Sequence, residues 1–245
     1  MQLRLLGPMA VIADGKPLPL PASRKTRALL GFLAAEGKPV RRERLTHLFW
    51  EVPDDPKGAL RWSLSKLRGL FGEAIVADRE TATLDNSSIE IDFVTLRDKV
   101  AAGLGSVSDE DLEHLSASAS GLFMEDLELA GCDDFNAWRL AFCEDARGWM
   151  DEVAAELVSR GLHPDRLLPH VRSWVERSPY STEASEALVR LLAAAGRDEE
   201  AEQQKALAIR RLGDAGIPAT AALRDAPIVT VEEEQHSLRQ EIPAE

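Results

Sequence analysis

The sequence predicts a mainly α-helical chain in two parts, a small winged helix-turn-helix followed by an all-α domain. Three observations carry that prediction. Residues 1–92 order their signals as short strands, three helices and a closing group of strands. Strand signals stop at about Phe93. Beyond it, Gly161 and Gly196 stand 35 apart, each ending one helical pattern and opening the next, near the 34-residue period of tetratricopeptide arrays. The expected divisions are a DNA-binding winged helix over 1–95, a tetratricopeptide-like helical domain over 96–225, and a tail over 226–245. The last carries Glu232-Glu233-Glu234 without apolar period and reads as a disordered tail or a linker.

Each element has its own signal. LRLLG and MAVIA are short β-compatible runs, and Asp14-Gly15 is a hairpin turn pair. KPLPLP reads as an edge strand, because proline cannot donate to a ladder. In SRKTRALLGFLAAEG, Ser23 is the candidate N-cap, Leu29, Leu30 and Leu33 form the apolar face, and Gly37 is the stop. RRERLTHLFW reads as a second short helix, with Leu45, Leu48, Phe49 and Trp50 in the core. EVPDDPKG reads as a loop. In ALRWSLSKLRGLFG, Leu60, Leu64, Leu67 and Phe71 recur at helical spacing. AIVADRETATLDNSSIEID reads as two or three strands around polar turns. The later segments are helical, with Trp138, Trp149 and Trp174 expected inside the second domain and Pro169 expected to interrupt a helix between Asp165 and Arg177.

Charge divides the chain more sharply than hydropathy does. The net charge is −13, yet residues 1–72 hold 13 Lys and Arg against 6 Asp and Glu, and residues 73–245 hold 16 against 36. A basic module is thus followed by an acidic one, which suggests nucleic acid as a partner of the first. Opposite the leucine stripe of the third helix lie Arg61, Trp62, Ser65, Lys66 and Arg68, with no acidic residue until Glu73. In helix-turn-helix proteins the later helix enters the major groove, where Arg and Lys reach guanine edges or phosphates and Ser reaches either. Trp62 suits a sugar, a thymine methyl, a neighbouring subunit, or burial under the loop 51–57. Arg24, Lys25 and Arg27 begin the first helix and Arg41, Arg42 and Arg44 the second, where helix N-termini attract phosphate. Arg68 lies on the stripe's flank, where it can pair with an acid or a phosphate. Arg79 is at the expected wing tip, within reach of the minor groove or backbone.

Other classes find less support. The five histidines show no ligand spacing, and there is neither a glycine-rich phosphate loop after a strand nor a G-x-S-x-G. An enzyme is not expected, and neither a metal nor a cofactor is. Cys132 and Cys143 suit neither a disulfide framework nor a zinc knuckle. No apolar run approaches the roughly 20 residues that cross a bilayer. The N-terminus reads as a mature end, and the cytoplasm as the simplest compartment.

Ordered blocks in both halves resemble the Streptomyces antibiotic regulatory protein (SARP) family of transcriptional activators. LRLLGPMAV, DGKPLPLP, RKTRALLGFLA, VRRERLTHLFW and LRWSLSKLRGLFG are similar to its OmpR/PhoB-type winged helix. GLFMEDLELAGCDDFNAWRLAFCE and ERSPYSTEASEALVRLLAAAGRDEEA are similar to its tetratricopeptide-like bacterial transcriptional activator domain. The resemblance covers roughly residues 2–225. It implies an activator that binds direct repeats in double-stranded DNA through helix 58–72 and the wing, and recruits RNA polymerase. It also implies a polymerase-contacting loop at Asp54, Asp55 and Lys57, and a helical half that mediates self-association, such as a homodimer, or meets partners. Gln204-Lys205 depart from the family, standing where members often carry Tyr. The ATPase and sensor domains of larger relatives are absent from this sequence. The rival expectation is a regulatory adaptor with weak or no DNA binding, which the acidic remainder favours by repelling DNA.

Overall fold

The first hairpin turns on Asp14 and Gly15, both at positive φ (51° and 74°), the backbone of a two-residue turn that matches strand twist. It joins β2 (Ala10–Ala13) to β3 (Lys16–Leu18). The computed structural model describes residues 1–50, 55–118 and 121–225. The first sheet has the order β3-β2-β1-β7, with β1 at Gln2–Arg4 and β7 at Glu90–Ile91. β1 is antiparallel to β2 and parallel to β7. β3, with Pro17, is an edge strand, as its proline requires.

Helix α1 (Arg24–Glu36) is capped by Ser23, whose side chain accepts from the Thr26 amide, and ends at Gly37 in the left-handed region at φ 60°. After β4 (Val40–Arg41) come α2 (Arg42–Phe49) and α3 (Pro56–Phe71). β5 (Ile75–Ala77) and β6 (Thr81–Leu84) form the wing hairpin, and β4 completes a three-stranded sheet of order β4-β6-β5. Leu29, Leu30 and Leu33 of α1 and Leu45 and Phe49 of α2 are buried with Leu60, Leu64, Leu67 and Phe71 of α3. Between α1 and α3 the hydroxyls of Thr26 and Ser63, both buried, lie 3.0 Å apart and satisfy each other.

The remaining helices are α4 (Asp92–Ala102), α5 (Asp109–Ser118), α6 (Asp133–Ser159), α7 (Pro164–Arg177), α8 (Thr182–Ala194), α9 (Asp198–Asp214) and α10 (Ala221–Arg224). The chain divides into two units, but not at residue 95. Of the described residues, the first holds those of 1–106 and 117–150, the second 107–116 and 151–225. The reason is packing. Gly7 donates to the Leu122 carbonyl at 2.9 Å and Met124 to the Leu5 carbonyl at 2.7 Å, so the segment after α5 runs beside β1. Gly7 and Gly121 permit this approach, since a Cβ on Gly121 would stand 2.5 Å from the Gly7 Cα. Phe123 then meets Phe93 (centroids 4.4 Å apart), and Trp138 meets Phe32 (4.6 Å) and Phe142 (4.7 Å). The Trp138 indole N–H donates to Glu36 at 3.2 Å. Trp138 and Trp149 therefore sit half-buried in the first unit, Trp149 against Phe93, and not inside the second domain as expected.

In the second unit Trp174 is buried with Leu167, Leu168 and Val171 of α7. α7 packs on α8, and α8 on α9. Gly161 and Gly196 lie at positive φ (63° and 69°) where the paired helices turn. Pro169 does not interrupt α7, which is continuous from Pro164 to Arg177. Pro169 and Asp165 are both exposed, so the Asp165 carbonyl that loses an amide partner lies on the solvent side of the helix. Arg166 grips Glu113 of α5 through two bonds of 2.9 and 3.1 Å, and its guanidinium holds the Glu113 carboxyl below the usual range. The tail 226–245 lies outside the described residues.

Two outcomes follow from the first unit's packing. A fragment of residues 1–150 should melt at a clearly higher temperature than one of residues 1–95, because the shorter piece leaves Phe32 and Phe93 without Phe123, Trp138 and Phe142. Equal melting temperatures in differential scanning calorimetry would count against this division. Asp92 supplies the second test. Its Oδ1 accepts from the Leu5 and Phe93 amides, each at 2.7 Å, and its Oδ2 from Leu6 at 3.1 Å. Burial pushes its carboxyl up, against those three bonds. In Asp92→Asn one oxygen becomes an NH2 facing an N–H donor, so denaturant unfolding should show a loss of about 1–3 kcal/mol.

Candidate nucleic-acid interface

Burial of the leucine stripe decides which arc of α3 faces outward. Leu60 and Leu67 are fully buried, whereas Arg61, Ser65 and Lys66 are exposed and Trp62 is 52% exposed. Burial of Trp62 is thereby ruled out. The Lys66 ammonium lies 5.4 Å from the centre of its ring, a cation–π contact that holds both on the open face.

Beside this arc lies an open groove of about 850 Å³, lined among others by Arg41, Arg42, Lys57, Arg61 and Arg79. They come from three elements. Arg41 and Arg42 stand at the start of α2, Lys57 and Arg61 four apart on α3, and Arg79 in the turn of the wing hairpin. Two bonds join the first and third elements: the Arg42 amide donates to the Glu80 carbonyl at 2.8 Å, and its guanidinium to the Asp78 carbonyl at 2.9 Å. Asp78 shapes the turn. Its Oδ1 accepts from the Thr81 amide at 2.7 Å and the Glu80 amide at 2.8 Å, and these bonds hold its carboxyl below the usual range. Glu43, Glu80, Thr46 and Thr81 also line the groove, so its charge is mixed with a basic excess.

Other expected contacts fall elsewhere. Arg24 donates to the Asp126 and Glu128 carbonyls at 2.9 and 2.8 Å, and Arg27 lies 3.7 Å from the Asp126 carboxylate. Both hold the segment that follows α5 and neither lines the groove; Lys25, beside them in the first turn of α1, does not line it either. Arg44 pairs with Glu36 at 3.9 Å and lies over Phe32. Arg68 donates to the carbonyls of Ile75 (3.2 Å) and Ala77 (3.1 Å). These belong to β5, an edge strand, so Arg68 covers an open backbone edge.

The loop before α3 is shorter than its composition suggests. α3 starts at Pro56 with Asp55 as N-cap, so Lys57 is in its first turn and not in a loop. Asp54 lies outside the described residues. Lys57 is the groove residue that the sequence reading missed as such. Its spacing of four from Arg61 is the available signal, hidden by starting the helix at 58. Among the described residues no group of three His, Cys, Asp or Glu could hold a metal ion, and no helix is long and apolar enough to cross a membrane.

No protein-family model matches this chain, and no curated protein does. Among solved structures it is similar to Mycobacterium tuberculosis EmbR in complex with a low-affinity phosphopeptide, with a TM-score of 0.61 and 22% sequence identity. The match covers 99% of this chain and 66% of that one, so the present chain spans just under two thirds of the EmbR structure. The likeness is one of fold, and the fold of this chain is a winged helix followed by helices.

Proposed function

We propose that the chain is a cytoplasmic, sequence-specific DNA-binding transcriptional activator, not an enzyme, that takes promoter repeats through α3 and the wing. The observation that carries the reading is the convergence of Arg41, Arg42, Lys57, Arg61 and Arg79, from three elements, on one groove beside the exposed arc of α3. Cations so arranged neutralise phosphates and release counterions, while the arc of Arg61, Trp62, Ser65 and Lys66 has the donors and the ring that base edges need. The likeness to EmbR supports a regulator of SARP type. Recruitment of RNA polymerase through Asp54, Asp55 and Lys57, and self-association through the helical half, belong to the same proposal. The adaptor reading draws on the acidic remainder, 36 Asp and Glu against 16 Lys and Arg beyond residue 72.

The test is fluorescence anisotropy of the full chain on duplexes selected from a random pool, across a salt series. Affinity should fall steeply with salt. No salt-dependent binding to any duplex would leave the adaptor reading standing. Arg79→Ala should weaken all duplexes alike and lower the salt slope by about one, as a phosphate contact does. Lys66→Ala should behave in the same way. Arg61→Ala should cost about 1–3 kcal/mol and relax preference at one position, since its fork matches guanine O6 and N7. These exposed changes should move stability by no more than about 0.5 kcal/mol. Arg68→Ala should do the reverse, lowering the melting temperature through the lost β5 contacts without changing base preference.

A further inference from the structure

α3 opens against helix preference. Gly58 is the third residue of the helix, where glycine is the poorest choice after proline. No turn requires it. The space its missing side chain leaves is filled: a Cβ there would stand 2.1 Å from Asp55 Oδ2 and 2.7 Å from its Cγ. The Asp55 carboxylate thus lies against the bare face of Gly58. Its Oδ1 accepts from the Gly58 amide at 2.8 Å, capping the helix. Its Oδ2 is 3.8 Å from an Arg61 guanidinium nitrogen. Residues 58 and 61 share a helix face, and a helical side chain leans toward the N-terminus, so Arg61 extends over Gly58 toward Asp55. Both side chains are largely exposed (69% and 67%), so the pair adds little to stability. At 3.8 Å it is an ion pair and not a hydrogen bond, and its attraction draws the guanidinium toward the start of α3.

We propose that Asp55 is a positioning residue for Arg61. One carboxylate oxygen, fixed to the helix end, leaves the other to bias the guanidinium fork toward the start of α3 for bidentate contact with a guanine edge. Gly58 is the vacancy that admits it. Base preference at the Arg61 position therefore depends on a residue that need not touch the base. The inference rests on the reading of α3 as the DNA-facing helix.

Two variants test it on the full chain. Asp55→Asn keeps a good N-cap and removes the charge. Gly58→Ala improves helix propensity and displaces the carboxylate. Anisotropy is measured on the duplex selected by the wild-type protein and on duplexes changed at the position whose preference Arg61→Ala loses. Arg61→Ala should lose about tenfold or more in guanine preference. Each of the other two should lose about threefold, the scale of an exposed ion pair, with affinity for non-cognate duplex undiminished and, for Asp55→Asn, the melting temperature unchanged. Intact preference in both variants, with Arg61→Ala impaired, would overturn the role of Asp55 and leave the DNA reading standing. So would an equal loss on all duplexes. No effect of Arg61→Ala would overturn the DNA reading of α3 and this inference with it.

Discussion

The burial of one stripe on α3 is the constraint on which the rest depends. At about 100° per residue, placing Leu60, Leu64 and Leu67 against α1 leaves no freedom over which residues point outward. The Thr26–Ser63 hydroxyl pair adds direction to that packing. Leucine contacts tolerate sliding, but a buried hydroxyl that slides by a turn loses its partner and is left unsatisfied. The exposed arc is therefore a consequence of the core, and the groove follows from it, because α2 and the wing hairpin join the same sheet through β4 and β6.

A second constraint works over a longer span of sequence. The segment after α5 returns to β1, passes Gly7 at Gly121, and delivers Phe123 and Trp138 to an aromatic cluster with Phe32, Phe93 and Phe142. Arg24 and Arg27 secure the same segment at Asp126 and Glu128. Those arginines illustrate how a basic helix N-terminus can serve the chain's own carbonyls and carboxylates in place of phosphate.

Local rules made most elements legible. The Asp14-Gly15 turn, the Ser23 and Gly37 caps, the edge position of the proline-bearing strand and the leucine stripe each depend on a few adjacent residues. The long-range pairings were not legible. Nothing near Trp138 announces Phe32 as its neighbour, more than 100 residues away, and helical period alone cannot say which core a buried face joins. The site divided on the same line. Arg41, Arg42, Arg61 and Arg79, singled out from their positions in the helix-turn-helix order, line one groove. Arg24 and Arg68 meet backbone carbonyls, which any sequence offers everywhere, and Arg27 meets the Asp126 carboxylate about 100 residues on, so no local pattern announces any of these partners. Lys57 and Asp55 read as loop residues because the helix is expected to start at 58, two residues late, whereas Pro56 suits the first turn.

Arg68 has an effect beyond its own stability. β5 ends its sheet, and an uncovered terminal strand is a template on which another chain can extend the sheet by one more strand. The guanidinium occupies the carbonyls such an added strand would need. This edge of the wing is thereby closed to sheet augmentation and to the aggregation that an open edge can seed.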